Sequence, residues 1–525
     1  MEKTLETEVV CDPCSAYNQG EILAKAASKC GLSTRDVAYF KVLRRSIDAR
    51  KRPVYRIRVL LSTQMPDLQD KKPIYQDVSD KESVIVVGAG PCGLFAALKL
   101  IECGIKPIIL ERGKRVEDRK KDIAQIARNK SLNPESNWCF GEGGAGTFSD
   151  GKLYTRSNKR GNIQEILETF VEFGADENIL TDAHAHIGTD KLSRIIKNIR
   201  NKITSCGGEY HFETKVVDFL VRGDEVYGVR TQSGEELKGK AVILASGHSA
   251  TDIYELFSAK GWYIEAKPFA MGVRVEHSQE LINRSQYGGR DYCGVLPAAS
   301  YSLVHNVGQR GVFSFCMCPG GMVIPSSTYE GGLVVNGMSS SLRCSPFANS
   351  GIVVSVAQSD VPEYARYGAL SLLRFQQDCE RKAYIYRQTA PSQRISDFVA
   401  GRFSSTLCES SYPAGLKECN MKDILPNFVA ATLKEGFKVF DRKIKGFVSR
   451  DALMIGLESR TSSAVRIPRD KDSLQHPHLK NLYPCGEGAG YAGGITSSAI
   501  DGVNAAKKIL PQKNTTRCKF QPLQR

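Results

Sequence analysis

The sequence predicts an α/β protein: a parallel-sheet, Rossmann-like domain interrupted by a mixed α+β insertion and preceded by a small α/β module. Three observations predict this. Residues 83–112 read as strand, glycine turn, helix, strand and acid. Residues 481–506 return to strand, glycine-rich loop and helix. Between about 267 and 456 the pattern changes first to strands and turns, then to helical periodicity.

Val84 to Val87 form a short apolar run, as expected of a central strand buried on both faces. Gly88, Gly90 and Gly93 follow as G-x-G-x-x-G. In a dinucleotide site the first allows the tight turn, the second lets backbone approach a pyrophosphate, and the third lets helix and strand pack closely. A helix from Pro91 to Cys103 would aim its positive end at phosphates. The next apolar strand, from Pro107, delivers Glu111 and Arg112. An acid at this place can accept hydrogen bonds from a ribose diol.

The expected organisation is a module and linker over 1–80, a nucleotide-binding domain over 82–266 and 457–512, an inserted substrate or cap domain over 267–456, and a tail over 513–525. In the module, a helix over 20–30 and two strands, 38–45 and 54–61, flank a turn at Asp48. Lys41, Arg44, Arg45, Arg50, Lys51, Arg52, Arg56 and Arg58 concentrate positive charge there. That charge is a solvated hairpin face or a dock for an acidic partner or RNA. The pair Cys11 and Cys14 lacks further ligands at zinc spacing, so no metal site is expected.

The chain has 525 residues, 72 Lys+Arg against 57 Asp+Glu and a net charge of +15, which favours anionic partners without choosing among them. No apolar stretch is long enough to span a bilayer. The acidic start is neither a secretory signal nor a transit peptide, so a cytoplasmic location is expected, with the 16 cysteines as free thiols.

Other candidate positions follow along the chain. The glycine-dense run from Gly141 to Lys152, including Gly144, suits a backbone cradle for phosphate or a ring system. His184 and His186 are two apart, with no third metal ligand nearby. Helices are expected over 163–174 and 189–206, and a hairpin over 214–231. The buried strand from Ala241 ends in Ser246, Gly247 and His248, at a carboxyl edge where such sheets bind ligands. Cys316 and Cys318 bracket one residue, so in extended backbone they share a face. Gly493 and Gly494 offer backbone donors at the start of the last helix, at Ile495.

Together these segments resemble the FAD-dependent oxidoreductases of the glutathione-reductase-like superfamily, and within it a bacterial-type family of FAD-dependent dehydrogenases. The resemblance rests on Gly88-Ala89-Gly90-Pro91-Cys92-Gly93, the run Gly143 to Leu153, Ala245 to Ala250, Phe315 to Gly321, Arg460 to Ile467, and Gly486 to Ile495. It implies FAD as cofactor, held by Gly88, Gly90, Pro91, Gly93, Glu111, Arg112, Gly144, Val217, Gly247, Glu487, Gly494 and Ile495. Glu111 would take the adenosine ribose, backbone near Val217 the adenine, and Glu487 the ribityl–pyrophosphate region, where related proteins usually carry Asp. A second dinucleotide fingerprint for a nicotinamide domain is absent from the sequence.

The expected function is an FAD-dependent oxidoreductase passing a hydride or electrons between a small-molecule substrate, an electron donor and the flavin. Cys316, Cys318 and His248 are its candidate catalytic residues, with Arg466 as a further candidate for anion binding. The alternatives are an FAD-dependent RNA-modifying enzyme and a non-catalytic flavin redox sensor.

Overall fold

The computed structural model describes residues 3–67, 73–129, 131–154, 161–289 and 294–510. The tail expected over 513–525 lies outside them.

The first module is a three-stranded antiparallel sheet backed by a helix. Its elements are β1 (Thr4–Cys11), α1 (Gln19–Lys29), β2 (Tyr39–Asp48) and β3 (Val54–Ser62), in sheet order β1-β3-β2. Strand β1 adds to the two strands the sequence predicts. Its alternating Glu6, Glu8 and Val9, Cys11 put charge outward and apolar side chains inward. The module docks through Arg45, which is buried: its guanidinium donates to Asp182 at 3.1 Å, and its backbone pairs with residues 181–183.

The second unit is a five-stranded parallel sheet. It runs through β4 (Ser83–Val87), α2 (Pro91–Glu102), β5 (Lys106–Leu110), α3 (Val116–Asn129), α4 (Ile163–Glu172), α5 (Thr189–Ser205) and β6 (Glu209–His211). A three-stranded meander follows, β7 (Val216–Arg222), β8 (Glu225–Thr231) and β9 (Glu236–Lys238), then β10 (Val242–Leu244) and α6 (Thr251–Ala259). The sheet order is β22-β10-β4-β5-β6, where β22 is Leu482–Pro484 from the far end of the chain. Strand β4 pairs with β5 on one side and with β10 on the other, and the chain passes directly to β5 but reaches β10 only after β6 to β9. The crevice between β4 and β10 is therefore a topological switch point.

The third unit begins with β11 (Glu265–Ala266), β12 (Phe269–Ser278), α7 (Gln279–Tyr287), β13 (Val304–Val307), β14 (Arg310–Cys318), β15 (Gly321–Pro325), β16 (Val335–Ser339) and β17 (Phe347–Val356). It continues with α8 (Ser371–Ala383), β18 (Ala390–Arg394), α9 (Ile395–Ala400), β19 (Leu416–Glu418), α10 (Met421–Ile424), α11 (Asn427–Lys443), β20 (Leu453–Glu458) and β21 (Val465–Arg466). Seven of these strands form one sheet, in order β13-β14-β17-β12-β20-β18-β19. Strand β12 is buried along nearly its whole length, and β20 entirely. Phe437, Phe440 and Phe447 pack with Leu433 beneath the sheet, and one continuous apolar cluster joins it to the parallel sheet. The chain returns through β22 to α12 (Ile495–Ile509), which lies against α2.

Two glycines set the closeness of helix, strand and helix. A Cβ on Gly93 would meet the Gly88 carbonyl oxygen at 1.9 Å, and one on Gly502 the Cys92 carbonyl oxygen at 2.0 Å. Gly93→Ala must therefore spread α2 from β4. A loss of about 1–3 kcal/mol in unfolding free energy is expected from denaturant melts; an unchanged midpoint contradicts this contact.

Candidate functional site

The carboxyl edge of the parallel sheet gathers every glycine loop singled out in the sequence. Gly88 lies against the turn after β10, where a Cβ would sit 2.5 Å from the Ala245 carbonyl oxygen. Gly488 approaches Gly247 as closely, its Cβ position being 2.7 Å from the Gly247 carbonyl oxygen. The loop over 141–153 crosses both ends: Gly143 N donates to the Ala89 carbonyl at 2.8 Å, and Thr496 Oγ1 donates to the Leu153 carbonyl at 2.8 Å.

Other glycines at this edge face open space. The nearest heavy atom to a Cβ on Gly90 is Gly144 Cα at 3.9 Å, and a Cβ on Gly247 or Gly493 would meet nothing within 4 Å. Gly494 (φ 148°) precedes α12 without a side-chain cap, leaving the first amides of that helix, from Ile495, available as donors. Backbone crowds where helix and strand meet and is bare where a pyrophosphate would lie. These residues fit the cofactor that the resemblance implies.

Glu111, the residue expected at the adenosine ribose, also holds the cradle together. It is 5% exposed. One carboxylate oxygen accepts from Ala89 N at 2.9 Å; the other accepts from Gly113 N at 2.9 Å and Gly141 N at 3.0 Å. A carboxylate offers about four acceptor positions, so at most about one remains for a ribose hydroxyl. Arg112 beside it donates to Glu135 and Asp252 and lies 4.2 Å from the Phe140 ring centroid. Val217 falls at the bulge between Val216 and Asp218, without a partner in the β7–β8 register and exposed.

Arg119 was not legible as a site residue. In sequence it is one charge of a polar helix; in the fold it is fully buried. Its guanidinium donates to the carbonyls of Asn137, Trp138, Gly141, Glu142 and Gly144 at 2.7–3.2 Å. Burial pushes its pKa down to about 10. Five carbonyls aimed at one cation fix the glycine-dense loop. Asp501 does the same for the last turn, accepting from Gly486 N at 2.7 Å and pairing with Arg469.

The candidate catalytic residues divide. His248 Nδ1 lies 3.0 Å from Glu487 Oε2, so the residue expected at the ribityl region is tied to the histidine. His248 also lines a cavity of about 20 Å³ between Trp138, Cys139 and Phe148 on one side and Ser326, Asn336, Glu458 and Arg460 on the other. The Trp138 indole N–H has no partner among the described residues. His186 instead bonds the Ser341 carbonyl at 3.1 Å, a structural contact.

Cys316 and Cys318 do not share a face, contrary to expectation. A bulge between Phe315 and Cys318 puts Cys316 at φ 41° and breaks the alternation of β14. Cys316 is exposed, and Cys318 is 1% exposed with its thiol turned to the Cys316 carbonyl at 3.3 Å. The bulge is held from below by Arg274, itself 0% exposed, which donates to the Cys316 carbonyl at 2.8 Å, to Glu458 at 2.9 Å and to Asn336 at 2.8 Å. Lys152 donates to the Met317 carbonyl.

Cys316 is reachable yet ringed by protein, and this crowding pushes its thiol up to about 11, against Lys152 and Arg274, which lower it. The thiol is therefore protonated at neutral pH. Alkylation of Cys316 by iodoacetamide, followed by peptide mass spectrometry, should accelerate about tenfold per pH unit from pH 7 to 10; a plateau below pH 8 would contradict this environment.

A larger cleft of about 730 Å³ lies beside β12, β14 and β17, lined by Phe269, Phe313, Phe315, Arg310, Thr461 and Ser462 among others. None of its lining residues belongs to the glycine cradle. The module's arginines have partners close at hand: Arg50 and Arg56 with Asp48, Arg52 with Asp12, and Arg58 with Glu6. Among the described residues no helix is long and apolar enough to cross a membrane.

The matching family descriptions agree with this geometry. Residues 81–242 match the family described as FAD binding domain, residues 268–461 match FAD-dependent protein, C-terminal domain-like, and residues 1–62 match a domain of unknown function. An uncharacterised protein of Clostridium beijerinckii is 39% identical over 515 residues, covering 93% of this chain and 95% of that protein. Among solved structures, flavin-dependent brominase Bmp2 is 13% identical over 82% of this chain and 78% of its own, with a TM-score of 0.38. A geranylgeranyl bacteriochlorophyll reductase-like protein of Thermoplasma acidophilum is 14% identical over 81% and 77%, with a TM-score of 0.33. The cofactor is FAD. The chain belongs to the family of FAD-binding proteins that includes the Clostridium beijerinckii protein.

Proposed function

We propose that the protein is an FAD-dependent oxidoreductase of dehydrogenase type, which moves a hydride or electrons between a small-molecule substrate in the 730 Å³ cleft and the flavin. The observation that carries this reading is the bare glycine cradle at the switch point of the parallel sheet. The cleft, separate from it, is of ligand size, in the usual range of about 300–1,000 Å³. FAD supplies the hydride chemistry when bound, and the protein supplies position and electrostatics.

The roles of the chain's own residues follow from their surroundings. Gly90, Gly144 and the α2 amides hold the pyrophosphate, and Gly494 and Ile495 present donors at the other end of the cofactor. His248 holds Glu487 in place for the ribityl chain. Cys316 follows the cleft residue Phe315 and carries its proton at neutral pH, so its Sγ–H serves as a proton donor to the reduced substrate. Cys318, buried behind it, keeps the turn in shape.

Two variants test this. Gly90→Val keeps an allowed backbone, φ −75°, and has room for its Cβ. It should leave the apoprotein melting temperature unchanged and abolish the flavin absorbance of the purified protein; full retention of FAD would refute the cradle. Cys316→Ser should lower turnover about 10²-fold with a substrate found by an anaerobic donor-and-acceptor screen. Electron transfer to ferricyanide, which needs no proton, should be spared. Equal turnover in Cys316→Ser and wild type removes the thiol from the reaction.

A further inference from the structure

We propose that Cys92 and Cys485 are a redox modification site: hydrogen peroxide joins them in a disulfide that locks the first glycine turn to the last glycine loop and slows the release of FAD. The inference goes beyond the oxidoreductase reading and needs only the cofactor.

The two thiols come from opposite ends of the nucleotide-binding unit. Cys92 is the second residue of α2, just after the turn at Gly90, and Cys485 follows β22, just before Gly486. They are 393 apart in sequence, yet their Sγ atoms lie 3.1 Å from each other. A disulfide sets its sulfurs about 2.05 Å apart, so closure takes a movement of about 1 Å.

Glycines hold the surrounding backbone close enough for this. A Cβ on Gly486 would be 3.1 Å from Cys92 Cβ and 3.2 Å from Cys92 Sγ. On the other side of Cys92 stands Gly502 of α12, whose added Cβ would meet the Cys92 carbonyl oxygen at 2.0 Å. Cys485 is fixed in turn: its N–H donates to the Leu244 carbonyl at 3.0 Å, and Gly486 N donates to Asp501 at 2.7 Å. The thiols therefore meet across two anchored segments. Among the described residues no group of three or more His, Cys, Asp or Glu side chains could hold a metal ion, so the pair is not part of a metal site there.

Burial selects the oxidant. Cys92 is 4% exposed and Cys485 0%, which shuts out a protein disulfide and admits a molecule little larger than water. The contact with Cys485, and then burial, raise the Cys92 thiol, so it is protonated at neutral pH and the pair stays reduced until peroxide is in excess. One thiolate attacks peroxide: an S–O bond forms, the O–O bond breaks, and the departing oxygen leaves as water, giving a sulfenic acid. The second thiol attacks that sulfur: the S–S bond forms, the S–O bond breaks, and a second water leaves. Two thiols lose two electrons in all, and one peroxide becomes two waters. The bridge ties the segment under the pyrophosphate to the segment expected at the ribityl chain, and a cradle fixed in its binding shape gives up its ligand more slowly.

The experiment treats holoprotein with millimolar hydrogen peroxide, then denatures, alkylates with iodoacetamide, digests and weighs the peptides. The peptides holding Cys92 and Cys485 should appear joined and lighter by two hydrogens than the separate pair. FAD release, followed as free-flavin fluorescence after dilution, should slow at least about tenfold in the oxidised protein. Dithiothreitol should restore both thiols and the original rate, a reading on wild type that needs no variant. In Cys92→Ser and in Cys485→Ser, peroxide should leave the release rate unchanged. Full alkylation of both cysteines after peroxide, or sulfinic acid at either one in place of the bridge, overturns the proposal. So does a bridge that leaves FAD release as fast as before.

Discussion

The site depends on one buried carboxylate. Glu111 closes the β5 strand, and its two oxygens gather amides from three loops: the first glycine turn at Ala89, its own turn at Gly113 and the glycine-dense loop at Gly141. Charge-assisted bonds of this kind are about twice as strong as neutral ones. They act here on segments with little side-chain burial of their own. Together with the bond from Gly143 N to the Ala89 carbonyl, that anchor sets how far Gly144 lies from Gly90. Arg119 supplies the complementary restraint by collecting five carbonyls of the same loop. One anion takes the donors and one cation takes the acceptors, so the loop keeps its shape without regular secondary structure.

This economy explains why the cradle is bare. Polar groups that would otherwise need water are satisfied from behind, by Glu111 just after β5 and by Arg119 on α3. The front of the loops then has only backbone to show, which is what a pyrophosphate can approach. The same arrangement recurs at the far end of the chain, where Asp501 on α12 reaches back to Gly486 and is itself neutralised by Arg469. The third unit uses a fully buried pair, Arg274 with Glu458, to support the bulge at Cys316. Such pairs contribute little net stability, but removing either partner strands a charge. Their value here is geometric.

Local signals in the sequence revealed much of the fold. The apolar run at Val84–Val87, the glycine spacing and Pro91 gave strand, turn and helix without any need for long-range contacts. The same holds for Gly486 to Ile495 and for the long helix α5. What escaped was non-local. Strand β1 hides behind Glu6 and Glu8, whose charge masks the strand until pairing with β3 shows them to be the outer face. Arg119 looks like any other charge on a polar helix, because its five acceptors lie 18–25 residues away in sequence. The paired cysteines misled for a related reason: two-residue alternation holds only in unbroken strand, and the bulge at Cys316 depends on Arg274, which is remote in the chain.

The central claim is that these loops, tied from behind by Glu111 and Arg119, grip a flavin by its adenosine and pyrophosphate as well as its ring. The most direct measurement is a titration of apoprotein with FAD and, separately, with FMN, followed by flavin fluorescence. One FAD per chain, bound far more tightly than FMN, is the predicted result. Equal affinity for the two flavins, or no binding of FAD to folded apoprotein, would contradict it.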